Sequence, residues 1–182
     1  EAHTISRKLH RTLHGFCPDT LGRSKKYTVV AYRWQPGITL RQLSTCGKLS
    51  SADLTATAGV LADLHAAAGD GLTGPDAGVQ LAHLGALADQ LGIILPHLAK
   101  RTKSVAQSLS QWLATEPPVR RPIHGDFYDK QAVVNAGKAH LIDLDAACLG
   151  SPLVDLGSYV AHLERHLGNH SISASDVETQ RD

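Results

Sequence analysis

The stretch from Pro122 to Asp155, PIHGDFYDKQAVVNAGKAHLIDLDAACLGSPLVD, holds Asp126, Gln131 and Asp143 at spacings that a hairpin would draw together. Ala132-Val133-Val134 and Ala139-His140-Leu141-Ile142 are strand-like runs, joined by the turn-rich loop Asn135-Ala136-Gly137-Lys138. Folding that hairpin sets residue 133 opposite residue 140, so Gln131 falls opposite residue 142, beside Asp143. Asp126 lies on the loop that enters the same end. One carboxylate free to act as a base, next to two oxygen donors able to hold Mg²⁺, is what phosphoryl transfer from ATP requires. Taken singly, each residue has a plainer reading. Asp126 alone would be a turn acid satisfying loop amides, Asp145 a solvated loop acid, and Lys130 a solvated turn Lys.

The order of these motifs resembles the catalytic core of the aminoglycoside phosphotransferase and choline kinase family, the small-molecule branch of the protein-kinase-like fold. His124, Gly125, Asp126, Asp143, Gly150, Pro152, Asp155 and Leu156 fall on that family's pattern. Gln131 stands where the family has Asn, and Ser151 where it has Asp before Pro. The resemblance implies that Asp126 accepts the proton of an attacking hydroxyl and that Asp143 and Gln131 hold Mg²⁺; for Asp145, beside them, a helper and a solvated loop acid are equal alternatives. It implies structural roles for His124, which orders the catalytic loop, and for Asp155, which braces it. The extra methylene of Gln moves its amide oxygen by more than about 1 Å relative to Asn, and Mg²⁺ demands near-ideal octahedral geometry. Some sugar-phosphorylating relatives carry Gln here, so it is read as a tolerated ligand.

Arg33-Trp34-Gln35-Pro36-Gly37-Ile38-Thr39-Leu40 is similar to the family segment that ends the last strand of the upper lobe. By that resemblance Tyr32, Arg33, Trp34 and Gln35 form the hinge at which backbone groups meet adenine. Arg33 departs from the usual acid, which backbone recognition would survive. An ordinary strand and turn is the alternative. The fold implied is α+β and protein-kinase-like: residues 35–182 a mainly helical C-terminal lobe with a small catalytic β-hairpin, residues 1–34 a remnant of the N-terminal lobe. Glu1 stands where the family has a helix Glu that pairs with a phosphate-gripping Lys; a solvated acid in a first helical turn is the equal alternative.

Composition narrows the field further. A 182-residue chain can bury one sizeable core. Its net charge is +1, with basic residues scattered, which argues against a nucleic-acid or membrane-surface footprint. No apolar run approaches membrane-spanning length, and Glu1 onward is no signal peptide. Cys17, Cys46 and Cys148 are odd in number and widely spaced, which suits a reducing, cytoplasmic setting. The sequence contains no Met and begins with Glu, so the expectation is that its true N-terminus lies upstream, with the Gly-rich loop and the phosphate-binding Lys. The acceptor is a small-molecule hydroxyl. Few acids follow Asp155, which leans toward a neutral sugar or amino alcohol rather than a polycationic aminoglycoside. Two further classes stay open: a non-catalytic nucleotide or metabolite binder, motivated by Gln131, and a metal-dependent phosphoesterase, prompted by Gly125-Asp126 and eleven His.

The remaining elements must position this stretch. Ile5, Leu9 and Leu13 predict a first helix, and Tyr27 to Trp34 a strand. Ser50 to Ala68 reads as a helix with a capping box from Ser50 and Asp53, and an apolar face of Leu54, Leu61, Leu64 and Ala68. His65 is read as a helix-end or packing residue. Leu81 to Leu98 is a helix that Pro96 should split, and Thr102 to Thr115 another, with Val105, Leu109, Trp112 and Leu113 inward. Pro152 to Leu167 closes the core. His162, His166 and His170 are spaced by four on its pattern, and a metal site there is conceivable but lacks a matching carboxylate or Cys. Ser173 to Glu178 reads as the cap of a further helix.

Overall fold

The computed structural model describes residues 18–75, 77–115, 119–168 and residue 178. The expected first helix, Glu1, Cys17, His170 and the cap at Ser173 lie outside these residues. The chain divides into two compact units, one made of the residues up to Thr73 and from Arg120 onward, the other of Gly74–Val119.

In the first unit, β1 (Thr20–Ser24) and β2 (Val29–Tyr32) form an antiparallel pair. The strand predicted over Tyr27 to Trp34 is therefore shorter, because Thr28 at φ 53° belongs to the turn and residues 33–36 leave the ladder. β3 (Ile38–Thr39) joins β5 (Ala132–Asn135) and β6 (Lys138–Leu141) in an antiparallel sheet of order β3-β5-β6. Val133 pairs with His140, as the spacing predicts. The turn is tighter than predicted: Asn135 pairs with Lys138, leaving only Ala136 (φ 49°) and Gly137 (φ 75°) in the loop. Two successive positive φ values make a type I′ hairpin, whose twist matches that of the strands.

β4 (Arg121–Ile123) pairs with β7 (Cys148–Gly150). Gly150 pairs with Arg121, and a Cβ there would lie 2.5 Å from Ile123 Cδ1, so a side chain would have to displace that of Ile123. α1 (Leu40–Thr45) follows β3 directly, started by a capping box between Thr39 and Gln42. α2 (Ser51–Ala66) starts with the predicted box between Ser50 and Asp53. It buries Leu61 and Leu64 against the hairpin residues Ala132, Val134 and Leu141, with Leu40, Leu72, Phe127 and Ala147 completing the cluster. Ala68 is exposed, since the helix ends two residues before it.

The second unit contains α3 (Ala77–Ile94), a 3₁₀ turn (Pro96–Leu98) and α4 (Ala99–Thr115). Pro96 splits the helices as expected, because it has no N–H to continue the ladder. Val105, Leu109, Trp112 and Leu113 are exposed by 39–51%, so the face expected inward is only partly covered. Helical periodicity marks an apolar stripe but does not say how much of it is covered.

α5 (Pro152–Gly168) returns to the first unit and buries Asp155, Leu163 and His166. Two of these three are polar, and both sit beside the loop that follows β4.

Candidate active site

The loop from His124 to Gln131 is held almost residue by residue. Asp155, 0% exposed, accepts the backbone N–H of His124 at 2.8 Å and of Gly125 at 2.9 Å, one on each carboxylate oxygen. His65 donates Nε2–H to the same carboxylate at 2.9 Å. A buried acid is thus satisfied by two amides and an imidazole, which fixes the loop's entry. Gly125 takes φ 83°, and a Cβ there would collide with the Ala146 carbonyl oxygen, so this position admits only glycine without rearrangement. The buried imidazole of His124 donates Nε2–H to the Ile142 carbonyl at 2.9 Å, tying the loop to the end of β6. Its Nδ1 has no hydrogen-bond partner among the described residues.

Farther along, Phe127 is buried, with its ring 5.5 Å from that of Tyr159 and 5.7 Å from that of His124. Tyr128 stacks on His162 with ring centroids 4.3 Å apart. Asp129 is buried in an ion pair with Arg41. Gln131 is buried and donates from Nε2 to Asp143 Oδ2 at 3.2 Å. Asp126, by contrast, is exposed.

Asp143 follows β6 in the left-handed conformation, at φ 60° and ψ 51°. Non-glycine residues rarely adopt it, and it turns the carboxylate out of the strand direction toward Gln131. Asp143 and Asp145 line a cleft of about 520 Å³ together with Tyr32, Arg33, Trp34 and Gln35. Gly37 closes its floor on β5: at φ 145°, a Cβ would sit 2.6 Å from both Val133 Cγ1 and the Val134 carbonyl oxygen. The Arg33 side chain pairs with Asp19 at 3.2 Å, and its N–H donates to the Asp19 carbonyl at 2.6 Å. Both side chains are more than half exposed, so the ion pair contributes about 0–1 kcal/mol. Trp34 is 83% exposed, an indole face open at the cleft.

The nine residues singled out in the sequence thus fall into two groups. Tyr32, Arg33, Trp34 and Gln35 share the cleft with Asp143, while His124, Asp126, Gln131 and Asp155 belong to or brace the loop beside it. Sequence reasoning missed His65, Arg41 and Asp129. His65 lies four residues after Leu61, on the buried stripe of α2, where a polar side chain needs a partner. Nothing in the sequence pairs Asp129 with an Arg 88 positions away.

His162 and His166 share a face of α5, with rings 6.2 Å apart. His162 is engaged by Tyr128 and by Arg165 at 3.2 Å, and among the described residues no group of three or more His, Cys, Asp or Glu is placed to hold a metal ion. Burial lowers the pKa of both imidazoles. Nearby cations add to the effect, Arg165 foremost at His162 and Arg41 at His166, against the carboxylates of Asp129 at both and of Asp126 at His162. Burial raises the Cys148 thiol, and Asp155 adds to it. Among the described residues no helix is long and apolar enough to cross a membrane.

The model of the phosphotransferase enzyme family matches residues 5–175. No curated protein sequence matches the chain. Among solved structures, a thermostable mutant of aminoglycoside phosphotransferase APH(4)-Ia in its apo form superposes with a TM-score of 0.72 at 19% identity, covering 100% of this chain and 66% of that one. Choline kinase LicA from Streptococcus pneumoniae gives 0.66 at 16% identity, covering 98% of this chain and 59% of that one. A glucosamine kinase in complex with glucosamine, ADP and inorganic phosphate gives 0.58 at 19% identity, covering 99% and 54%. The chain therefore spans between about half and two thirds of the length of these proteins. With its α+β, protein-kinase-like fold and its His-Gly-Asp loop, the chain belongs to the phosphotransferase enzyme family.

Proposed function

We propose that the protein transfers the γ-phosphoryl group of ATP to a hydroxyl of a small molecule, a sugar, amino alcohol or aminoglycoside-like compound. The observation that carries this reading is the shared cleft: the segment Tyr32 to Gln35 and the carboxylate of Asp143 line one space of nucleotide-accommodating size. The ADP held by the related glucosamine kinase supports it. Adenine would lie against Trp34 and the backbone of Arg33 to Gln35, where the Arg33 N–H is already taken by Asp19.

The 3.2 Å contact is made by Gln131 Nε2, which donates to Asp143; a half-turn of the amide would set its oxygen there instead, near the roughly 2.9 Å between adjacent oxygens around an octahedral Mg²⁺ with 2.0–2.1 Å bonds. With the amide so turned, these two residues would hold the ion. Bound there, Mg²⁺ would offset the negative charge of the phosphates. Asp126 would accept the acceptor's hydroxyl proton, and its exposure leaves it accessible to a substrate. Asp155, His65 and His124 would hold the loop so that Asp126 meets the hydroxyl at a fixed place. Residues 1–34 would be the remnant of the upper lobe and 35–182 the catalytic lobe, acting in a cytoplasmic setting.

The test uses the protein encoded by the whole reading frame, assayed for ADP formation with Mg²⁺ against sugars, amino alcohols and aminoglycosides. Asp126→Ala should lower turnover by about 10²–10⁴-fold while nucleotide affinity stays unchanged. Full turnover in that variant would sink the base assignment. Nucleotide binding without ADP formation across the panel would instead favour a non-catalytic binder, the reading motivated by Gln131.

A further inference from the structure

We infer that Arg41 is a positioning residue for the reacting loop, acting through Asp129; the inference rests on the kinase reading above. Asp129 lies between Asp126 and Gln131. It is 1% exposed, and one guanidinium occupies both its oxygens: Arg41 Nη2 donates to Oδ1 at 2.8 Å and Nε to Oδ2 at 2.5 Å. The Arg41 backbone N–H also donates to the Asp129 carbonyl at 3.0 Å. Three directional contacts between two residues fix both side chain and backbone, which a point charge such as Lys could not do.

Arg41 is itself anchored. It is the second residue of α1, and the N-cap Thr39 pairs with Val133 in the sheet that carries the catalytic hairpin. The clamp therefore refers the loop back to the strand that follows Gln131. Asp126 lies between two fixed points, Asp155 on the amides of residues 124 and 125, and Arg41 on residue 129. Being exposed itself, Asp126 takes its place from those ends. A buried ion pair is not required for stability, since well-packed apolar residues of similar volume do as well or better. What the fork supplies is direction, and a displacement of about 1 Å at a reacting group can lower a rate about a hundredfold.

The experiment compares Arg41→Met, Arg41→Lys and the double variant Arg41→Met/Asp129→Leu in the protein from the whole reading frame. Three readouts are taken: melting temperature, kcat and KM for ATP, and amide hydrogen exchange across residues 124–131. Arg41→Met alone strands a buried carboxylate and should melt early. The double variant should regain the melting temperature, yet keep kcat at least about tenfold down, a small part of what misplacement can cost, with KM for ATP little changed and faster exchange across the loop. Arg41→Lys should lower kcat in the same way with a smaller thermal effect. Recovery of kcat together with the melting temperature would overturn the inference, as would wild-type kcat in Arg41→Lys or unchanged exchange in the double variant. If the wild-type protein transfers no phosphate, the kinase reading falls on that control, and hydrogen exchange alone then decides whether Arg41 clamps the loop.

Discussion

Gln131 reaches Asp143 because its backbone is held one residue outside the hairpin. Its N–H donates to the Tyr128 carbonyl at 2.8 Å, and its carbonyl accepts from Ile142 at 2.9 Å. With the main chain pinned on both sides, side-chain length decides whether the amide meets the carboxylate. The longer side chain is what carries the amide to Asp143 from this backbone. Gln131→Asn should withdraw the amide by more than about 1 Å and lower kcat by about tenfold, well within the cost of such misplacement; a rise in activity would show that the loop was built for Asn. Asp126, Gln131 and Asp143 were legible because each lies within or beside one local hairpin. Arg41 and His65 were not, because their partners are 88 and 90 residues away and only the packed helices bring them close.

Among elements, the β5–β6 hairpin lines up Gln131 with Asp143 and carries local strain in its turn. Ala136 holds φ 49° at the first position of the I′ turn, where an L side chain costs about 1–2 kcal/mol. Asn tolerates that conformation better, and Asn-Gly is the preferred pair for this turn. Ala136→Asn should raise stability by about 1 kcal/mol, a gain of about 2–4 °C in melting temperature for a chain of this size, without changing KM for ATP. An unchanged or lower melting temperature would place the strain elsewhere. The helices were read well from local signals: the Ser50–Asp53 box starts α2 and Pro96 divides α3 from α4. The strand pair of β1 and β2 was seen only in part. β1 is Thr-Leu-Gly-Arg-Ser, too polar and glycine-bearing to stand out, and it exists through its pairing with β2.

At the scale of the molecule, α5 places His166 beside the Arg41–Asp129 pair. The ring is buried, its Nε2 has no hydrogen-bond partner among the described residues, and burial lowers its pKa. Arg41, Arg165 and His162 act in the same direction, and Asp129 opposes them. The folded chain thus prefers the neutral imidazole, whereas the unfolded chain takes up a proton near pH 6.5. Between that pH and the lower folded value, the unfolded state binds more protons, so stability rises with pH there and falls on acidification. Chemical denaturation at pH 5 to 7.5 should show this slope, and His166→Gln should flatten it. An equal slope in the variant would assign the effect to His162, which is shifted in the same direction.

By itself the sequence determined the helices α2 to α5, the hairpin and its register, and the membership that the His-Gly-Asp loop signals, but not α1. These are consequences of local pattern, of capping boxes, alternation and turn chemistry whose partners lie a few residues apart. Tertiary structure decided what holds the loop still: the three donors on Asp155, the Arg41 fork on Asp129, and the left-handed turn that aims Asp143 at Gln131. It also decided how much of each apolar stripe is covered, as on α4. Such contacts join residues distant in the chain, and their energies depend on burial and direction, which only the packed fold specifies.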